Sequence, residues 1–201
     1  KKEICQNRTF IYAHKQAVCL GLLLFGRSFD ERHITLDTES QPVSRLYSEL
    51  VYELVEIRTS ITATEQILGN NRRLYAVTIY AADDRQRILN YFAPVYQHFL
   101  RCGAEDAEEN EFLRGVLCGA FLSCANLSDP RRSYHLEMTL HGGTSAAAAR
   151  SLLDRFGIAY RETERRGIRL LYTKSSEEIE DVLTLLGAGK SALVVMNVKV
   201  Y

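Results

Sequence analysis

The feature that most constrains this chain is a stripe of small residues that occurs twice. Ala13, Ala17 and Gly21 recur every four residues inside one apolar stretch, and Gly115, Gly119 and Ser123 do the same inside another. A shift of 98 positions lays Ala17 on Gly115 and Gly21 on Gly119. Residues four apart share one face of a helix. Small side chains on that face let two helix backbones approach closely. In a chain of 201 residues, the stripes predict two equivalent helices crossing at the centre of the molecule, with Ala17, Gly21, Gly115, Gly119 and Ser123 at the crossing. The alternative is two ordinary core helices that happen to be rich in Ala and Gly.

The elements C-terminal to each stripe also repeat. After the first comes an alternating strand, Arg32 to Asp37. After the second comes a cleaner one, Tyr134 to His141, whose even positions are apolar and odd positions polar. A helix comes next in each half: Val43 to Ile57, with Leu46, Leu50 and Leu54 at helical spacing, and Ser145 to Phe156, read as Ser-capped and stopped by Gly157. Each half then has a hairpin. The first turns at Gly69-Asn70-Asn71 between Ile61–Leu68 and Leu74–Ala81. The second turns at Arg165-Arg166-Gly167 between Ala159–Thr163 and Ile168–Thr173. A helix closes each half, one entered at Asp83/Asp84 and one at Ser175-Ser176-Glu177-Glu178. The unit is α-β-β-α-β-β-α, with residues 1–103 as one half, 104–201 as the other, and Gly103 to Asn110 as a short acidic link. The stretch Ala192 to Tyr201 is apolar and fits helix or strand.

Composition narrows the function. An apolar fraction of 46% with three Pro excludes a disordered or collagen-like chain. Lys and Arg total 25 against 25 Asp and Glu, so there is no whole-chain basic field of the kind that grips nucleic acid by charge alone. The longest apolar run, Ala17 to Gly26, is too short to span a bilayer. No secretory signal is recognisable, and a cytoplasmic protein is expected. Five cysteines, an odd number without a C-x-x-C pair, read as buried thiols in a reducing compartment and not as a disulfide frame or a zinc site.

Three motif-like strings fail on physical grounds. Gly187-Ala188-Gly189-Lys190-Ser191 lacks the glycine a phosphate loop needs at Thr184, and a helix precedes it instead of a strand. His141-Gly142-Gly143 resembles a hydrolase oxyanion loop, but no G-x-S-x-G occurs. His135 and His141 are about 20 Å apart along a strand, too far to share one metal ion. No cofactor and no metal site is expected.

The repeated unit, opened in each half by a small-residue helix, resembles the LAGLIDADG homing-endonuclease fold. Leu20-Gly21-Leu22-Leu23-Leu24-Phe25-Gly26 occupies the first motif. The second, Phe112 to Ser123 (FLRGVLCGAFLS), runs on to Ser128-Asp129-Pro130-Arg131-Arg132-Ser133-Tyr134-His135-Leu136-Glu137. That string, with Glu178 to Ala188, is similar to the WhiA family of bacterial regulators. The resemblance implies an α+β fold with crossing central helices and a saddle-shaped antiparallel sheet. It also implies a helix-turn-helix beyond residue 201 that makes the main DNA contact. A role in transcription control, cell division, chromosome segregation or sporulation, and a nucleoid-associated location, come with it. A regulatory protein partner is a further expectation.

Nucleases of this fold carry an acid at the foot of each motif helix, where paired carboxylates hold divalent metals beside the scissile phosphate. Alignment on Gly21 and Gly119 puts Gly26 and Cys124 at those feet, and neither supplies a hard oxygen ligand. The nearest acids, Asp30, Glu31 and Asp129, lie beyond the helix ends. The expectation is a non-catalytic domain. The rivals are an active metal-dependent endonuclease and a protein-interaction module without DNA contact. The outward strand positions His33, Thr35, Asp37, Glu39, His135, Glu137, Thr139 and His141 include three acids, which oppose phosphate contact. Arginines near turns are the candidates for weak backbone contact: Arg72, Arg73, Arg131, Arg132, Arg165, Arg166 and Arg169, with Arg161 beside them. Glu162 and Glu164, interleaved among them, argue for solubilising charge instead.

Overall fold

A computed structural model describes residues 1–57, 60–103 and 106–199. Ala104 and Glu105 of the expected link, and Val200 and Tyr201 of the closing stretch, lie outside the described residues. The chain divides into two compact units, Lys1–Ser123 and Cys124–Tyr201.

The first unit opens with three successive helices, α1 (Lys2–Gln6), α2 (Arg8–Ala13) and α3 (Lys15–Leu24). The Asn7 side chain accepts from the Phe10 amide and starts α2. Residues Ala17 through Leu24 of α3 are all buried, the mark of a helix with no solvent face. Then come β1 (Ser28–Phe29), β2 (Ile34–Thr38), α4 (Gln41–Val55), β3 (Ile61–Ile67), a 3-10 turn at Gly69–Asn71, β4 (Arg73–Ile79), α5 (Ala82–Arg101) and α6 (Ala107–Cys124). The strands form one antiparallel sheet in the order β1-β2-β4-β3. Ile34, Leu36 and Thr38 of β2 and Tyr75, Val77 and Ile79 of β4 are buried on the face that α3 and α4 cover. α4 meets it with Val43, Leu46, Tyr47, Leu50 and Val51, spaced three and four apart as a helix facing a core requires.

Helices α3 and α6 cross with no side chain between their backbones at the closest point. A Cβ built on Gly21 would lie 2.2 Å from the Val116 carbonyl oxygen, and one on Gly119 would lie 2.1 Å from the Val18 carbonyl oxygen. At Gly115 the neighbour is the Ala17 Cβ, 2.7 Å from the added atom. Ser123 is buried at the end of the same stripe, and its hydroxyl has no hydrogen-bond partner among the described residues.

The second unit runs β5 (Ala125–Leu127), β6 (Leu136–Leu140), α7 (Gly143–Arg155), β7 (Arg161–Arg165), β8 (Ile168–Thr173), α8 (Ser176–Leu185) and α9 (Gly189–Lys199). Its antiparallel sheet, ordered β5-β6-β8-β7, has the same pattern as the first. Leu136, Met138 and Leu140 of β6 are buried with Leu171 and Thr173 of β8, and α7 contacts both strands. No helix among the described residues is long and apolar enough to cross a membrane.

Local chemistry departs from the sequence expectations at three places. Ser145 does not cap α7: the N-cap is Gly142, and the Ser145 hydroxyl donates to the Gly142 carbonyl at 3.0 Å. Neither Asp83 nor Asp84 caps α5, whose N-cap is Ala81. The Asp84 carboxylate instead accepts from the Ser60 hydroxyl at 2.6 Å. The second hairpin turns on two residues, Arg166 (φ +52°) and Gly167 (φ +77°), the paired positive φ values of a tight hairpin turn. Its strand therefore extends to Arg165. The closing apolar stretch, open between helix and strand in the sequence, is helical as far as Lys199, in a helix that starts at Gly189. Ser175 does cap α8, accepting from the Glu178 amide at 3.3 Å.

Gly119→Ala is expected to destabilise the chain by about 3 kcal/mol or more, because the new methyl has only carbonyl oxygen and backbone to displace. Gly143→Ala, at a helical position with nothing within 4 Å, should change stability by no more than about 1 kcal/mol. Thermal melts of the two variants followed by circular dichroism make the comparison.

Candidate nucleic-acid interface

The feet of the two motif helices, at Gly26 and Cys124, are the positions at which the sequence resemblance implies metal ligands. Gly26 comes directly after Phe25, the C-cap of α3, and its amide donates to the Leu23 carbonyl at 3.1 Å. A Cβ added there would lie 2.9 Å from the Thr35 carbonyl oxygen, and 3.2 and 3.3 Å from those of Leu23 and Leu22. Three oxygens thus close the direction in which a side chain would leave. Cys124 ends α6 and is half-buried. A closed glycine and a thiol do not fit a hard divalent cation, which takes oxygen ligands. Among the described residues, no three His, Cys, Asp or Glu side chains group closely enough to hold a metal ion.

The acids beyond the helix ends are occupied by their own turns. Asp30 Oδ1 accepts from the amides of Arg32 and His33, both at 2.8 Å. The His33 amide bond, the strongest influence, and the Arg32 bond hold its carboxyl below the usual range. Asp129 accepts from the Arg131 amide at 3.0 Å and from its guanidinium at 3.1 and 3.0 Å. The guanidinium bonds, then the amide, lower that carboxyl too. Both are Asx-type turns.

Each sheet has one face packed on helices and one that is not. In the first sheet the register aligns Thr35 with Thr78 and Thr78 with Thr62, and Asp37 with Ala76 and Ala76 with Thr64, on the uncovered face. Thr35 and Thr78 hydroxyls lie 3.4 Å apart. Asp37 is paired with Arg27 at 2.7 Å, and Glu39 with Arg72 at 3.0 Å. Arg73 falls in phase with Tyr75, Val77 and Ile79 on the helix side, where it pairs with Glu65 at 2.9 Å.

The second sheet sorts its charges by face. Along β7, Arg161, Thr163 and Arg165 align with Tyr172, Leu170 and Ile168, whereas Glu162 aligns with the buried Leu171 and Glu164 with Arg169. Successive strand residues point to opposite faces. Arg161 and Arg165 therefore share the uncovered face with Glu137 and Thr139, while Glu162 and Glu164 lie on the α7 side. Glu162 bonds Arg150 of α7 at 3.0 Å, and Arg169 approaches Glu162 and Glu164 at 4.0 Å each. On the uncovered face His135 meets Glu137 at 3.2 Å. Among the described residues, no carboxylate forms an ion pair with Arg132, Arg161, Arg165 or Arg166. Arg131 is bound to Asp129 at 3.0 Å.

The interleaved glutamates thus do not dilute the arginine face, because the pleat separates them. The alternation in Arg161-Glu162-Thr163-Glu164-Arg165 carries that signal, and the mixed sign of the run hides it.

Residues 113–201 match the WhiA LAGLIDADG-like domain. A "Probable cell division protein WhiA" of Alkaliphilus oremlandii is 27% identical over 199 residues, covering 92% of this chain and 59% of the relative. The crystal structure of full-length WhiA from Thermatoga maritima superposes with a TM-score of 0.65 at 23% identity, over 92% of this chain and 60% of that one. The second half of this chain is thus similar to the WhiA family. The fold of the chain is the α+β fold of LAGLIDADG proteins. The homing endonuclease I-WcaI, solved bound to its DNA recognition sequence, shares that fold at TM-score 0.53 and 11% identity, over 87% of this chain and 81% of that one. The chain spans about three-fifths of the length of the WhiA relative and of the full-length WhiA structure.

The WhiA match begins at Leu113 and so includes the second small-residue stripe and the whole charge-sorted sheet. It also includes two of the five cysteines, Cys118 and Cys124. Burial pushes the Cys118 thiol up to about 12, and burial likewise raises Cys5 and Cys19. Cys102 is buried as well, its sulfur 3.3 Å from His98 Nε2. All five are free. Since the thiolate is the reactive form, a thiol-specific reagent near pH 8 should modify only Cys124 in the native chain, and all five after denaturation. Mass spectrometry of the labelled protein counts them.

Proposed function

We propose that this chain is the non-catalytic LAGLIDADG-like domain of a WhiA-type, DNA-binding transcription regulator serving cell division, chromosome segregation or sporulation. In that reading residues 1–201 are one domain of two similar halves, 1–103 and 104–201. The main DNA contact is made by a helix-turn-helix beyond Tyr201, in a cytoplasmic protein associated with the nucleoid. A regulatory protein partner is part of the same proposal. This domain adds weak contact to the duplex backbone.

The observation that carries the DNA contact is the sorting of charge in the second sheet. Arg161 and Arg165 stand on the uncovered face with hydroxyl-bearing Thr139, Thr163 and Tyr172, while Glu162 and Glu164 lie on the other. Arginine and hydroxyl donors are the groups that hold phosphate oxygens without reading sequence. The first sheet adds a threonine-lined face whose acids are already paired with Arg27 and Arg72. Of the arginines singled out from the sequence, Arg165 lies on the uncovered face, and Arg166 and Arg132, in turns, have no ion-pair partner among the described residues. Arg73, Arg131 and Arg169 are engaged with carboxylates.

Binding of the 201-residue chain to a duplex should be weak and fall steeply with salt. Arg161→Gln and Arg165→Gln should each reduce the slope of log K against log salt by about 1. Arg73→Gln and Arg169→Gln should leave it unchanged. Fluorescence anisotropy across a salt series measures this. No binding at the lowest salt would leave the protein-contact reading in its place.

The absence of cleavage is supported by Gly26, where an acid has no path past the Thr35 carbonyl, and by the thiol at Cys124. The chain should not nick supercoiled plasmid with Mg²⁺ or Mn²⁺, and Gly26→Asp should lower its melting temperature without creating cleavage. Nicking that disappears in Asp30→Asn or Asp129→Asn would establish the nuclease reading instead.

A further inference from the structure

The end of the second sheet where β7 begins and β8 finishes holds a cavity of about 400 Å³, within the size range of small-molecule sites. Tyr160, Arg161, Tyr172, Lys174, Ala159 and Glu178 are among its walls. The register places Arg161 directly across from Tyr172 on one side and Glu137, paired with His135, across from it on the other, and Lys174 lies two residues beyond Tyr172 along the chain, so two cations border that ring. On the ring's other flank the His135 imidazole lies 5.6 Å from it, tilted by 38°. Among the described residues, neither Arg161 nor Lys174 forms an ion pair. The acid in the wall, Glu178, is committed: its Oε2 accepts from the Ala159 amide at 2.9 Å. Tyr160 is held by burial and by its bond to Asp154, both of which raise its phenol above the usual range.

We propose that this cavity binds a nucleoside monophosphate, with the base against Tyr172 and the phosphate between Arg161 and Lys174. Two free cations ask for an anion. An aromatic ring beside them asks for a planar group attached to that anion, which inorganic phosphate lacks. An aromatic surface beside cationic side chains is the combination that holds an unstacked nucleotide. A free nucleotide and the phosphorylated end of a single strand share this chemistry. The site shares Arg161 and Tyr172 with the duplex contact proposed above, but Lys174 belongs to the cavity alone and Arg165 to the duplex contact alone, so variants at those two positions tell the proposals apart.

The test is a ¹H–¹⁵N correlation titration of the whole 201-residue chain with adenosine monophosphate, adenosine, inorganic phosphate and a 5′-phosphorylated hexanucleotide. Adenosine monophosphate should shift the amides of Arg161, Tyr172 and Lys174 saturably, with adenosine and inorganic phosphate each binding at least about tenfold more weakly. Tyr172→Leu and Lys174→Gln should each weaken it by about tenfold, and Arg165→Gln should not. If Tyr172→Leu fails to fold, the exposed Lys174→Gln still decides the phosphate half, and the adenosine and phosphate titrations decide the base. Tighter saturation by the hexanucleotide assigns the site to a strand end; tighter saturation by the monophosphate assigns it to a free nucleotide. Inorganic phosphate binding as well as the nucleotide would overturn the proposal, as would no shift at about 10 mM ligand, or shifts confined to residues outside the cavity.

Discussion

Two glycines touching across a helix crossing set the terms for the first unit. Gly21 and Gly119 each occupy the place where the other helix would put a side chain, and the carbonyls of Val18 and Val116 fill the space a Cβ would need. Backbone in contact with backbone buries peptide groups already bonded within their own helices, so no polar group is orphaned by the close approach. The cost is conformational: glycine inside a helix is unfavourable by about 1 kcal/mol relative to alanine. That cost is offset because α3 becomes a helix buried on every side from Ala17 to Leu24, and each buried Leu or Val contributes about 1.5–3 kcal/mol. The crossing is also closed by polar contact toward its start, where His14 of the segment entering α3 lies 3.5 Å from Glu111 of α6.

That arrangement separates packing from chemistry within one motif. The small residues that let the helices meet are at positions 17, 21, 115 and 119, while the positions where the resemblance implies acids would stand fall at 26 and 124, a turn or more further on. Removing an acid from the foot does nothing to the glycine contact. At Gly26 the chain has gone beyond omission, because β2 runs so close that the Thr35 carbonyl lies where a side chain would begin. A bare backbone there lets the chain leave α3 and enter the sheet within a few residues, β1 starting at Ser28.

Much of this was legible because it rests on period and spacing. The four-residue stripe from Ala17 to Gly21 and from Gly115 to Ser123, the two-residue alternation of β6 and the order of elements in each half all depend on residues close in sequence; Ala13, read as part of the first stripe, instead ends α2, and the helix is interrupted at His14. The helix caps were less so. Ser145 and Asp84 are both good capping residues by type, yet each is drawn to another partner: Ser145 to the Gly142 carbonyl, and Asp84 to Ser60, which lies 24 positions earlier in the chain. Capping is decided by which acceptor or donor arrives first in space, and composition does not carry that. The closure at Gly26 was hidden for the same reason, since it depends on a strand carbonyl that only the fold brings near. Tyr172 was unremarkable in sequence and gains interest only from its cross-strand neighbour Arg161.

The zero net charge, which excludes a whole-chain basic field, conceals the sorting in β7. An edge strand needs charge whatever its function, because exposed ladder groups invite pairing with another chain, and β7 is the edge of its sheet. Edge protection alone is served by any mixture of signs on either face. It gives no reason for both arginines to stand on the uncovered face and both glutamates on the helix side. The glutamates have a structural account: Glu162 ties the strand to α7 through Arg150, and Arg169 approaches both acids. Arg161 and Arg165 have none, since among the described residues no carboxylate pairs with them. Surface ion pairs are worth at most about 1 kcal/mol, so leaving these two unpaired costs the fold little. What it gains is a face with positive charge available to an outside anion, and the two cations are about 13 Å apart along the strand, a separation suited to contacts with more than one phosphate.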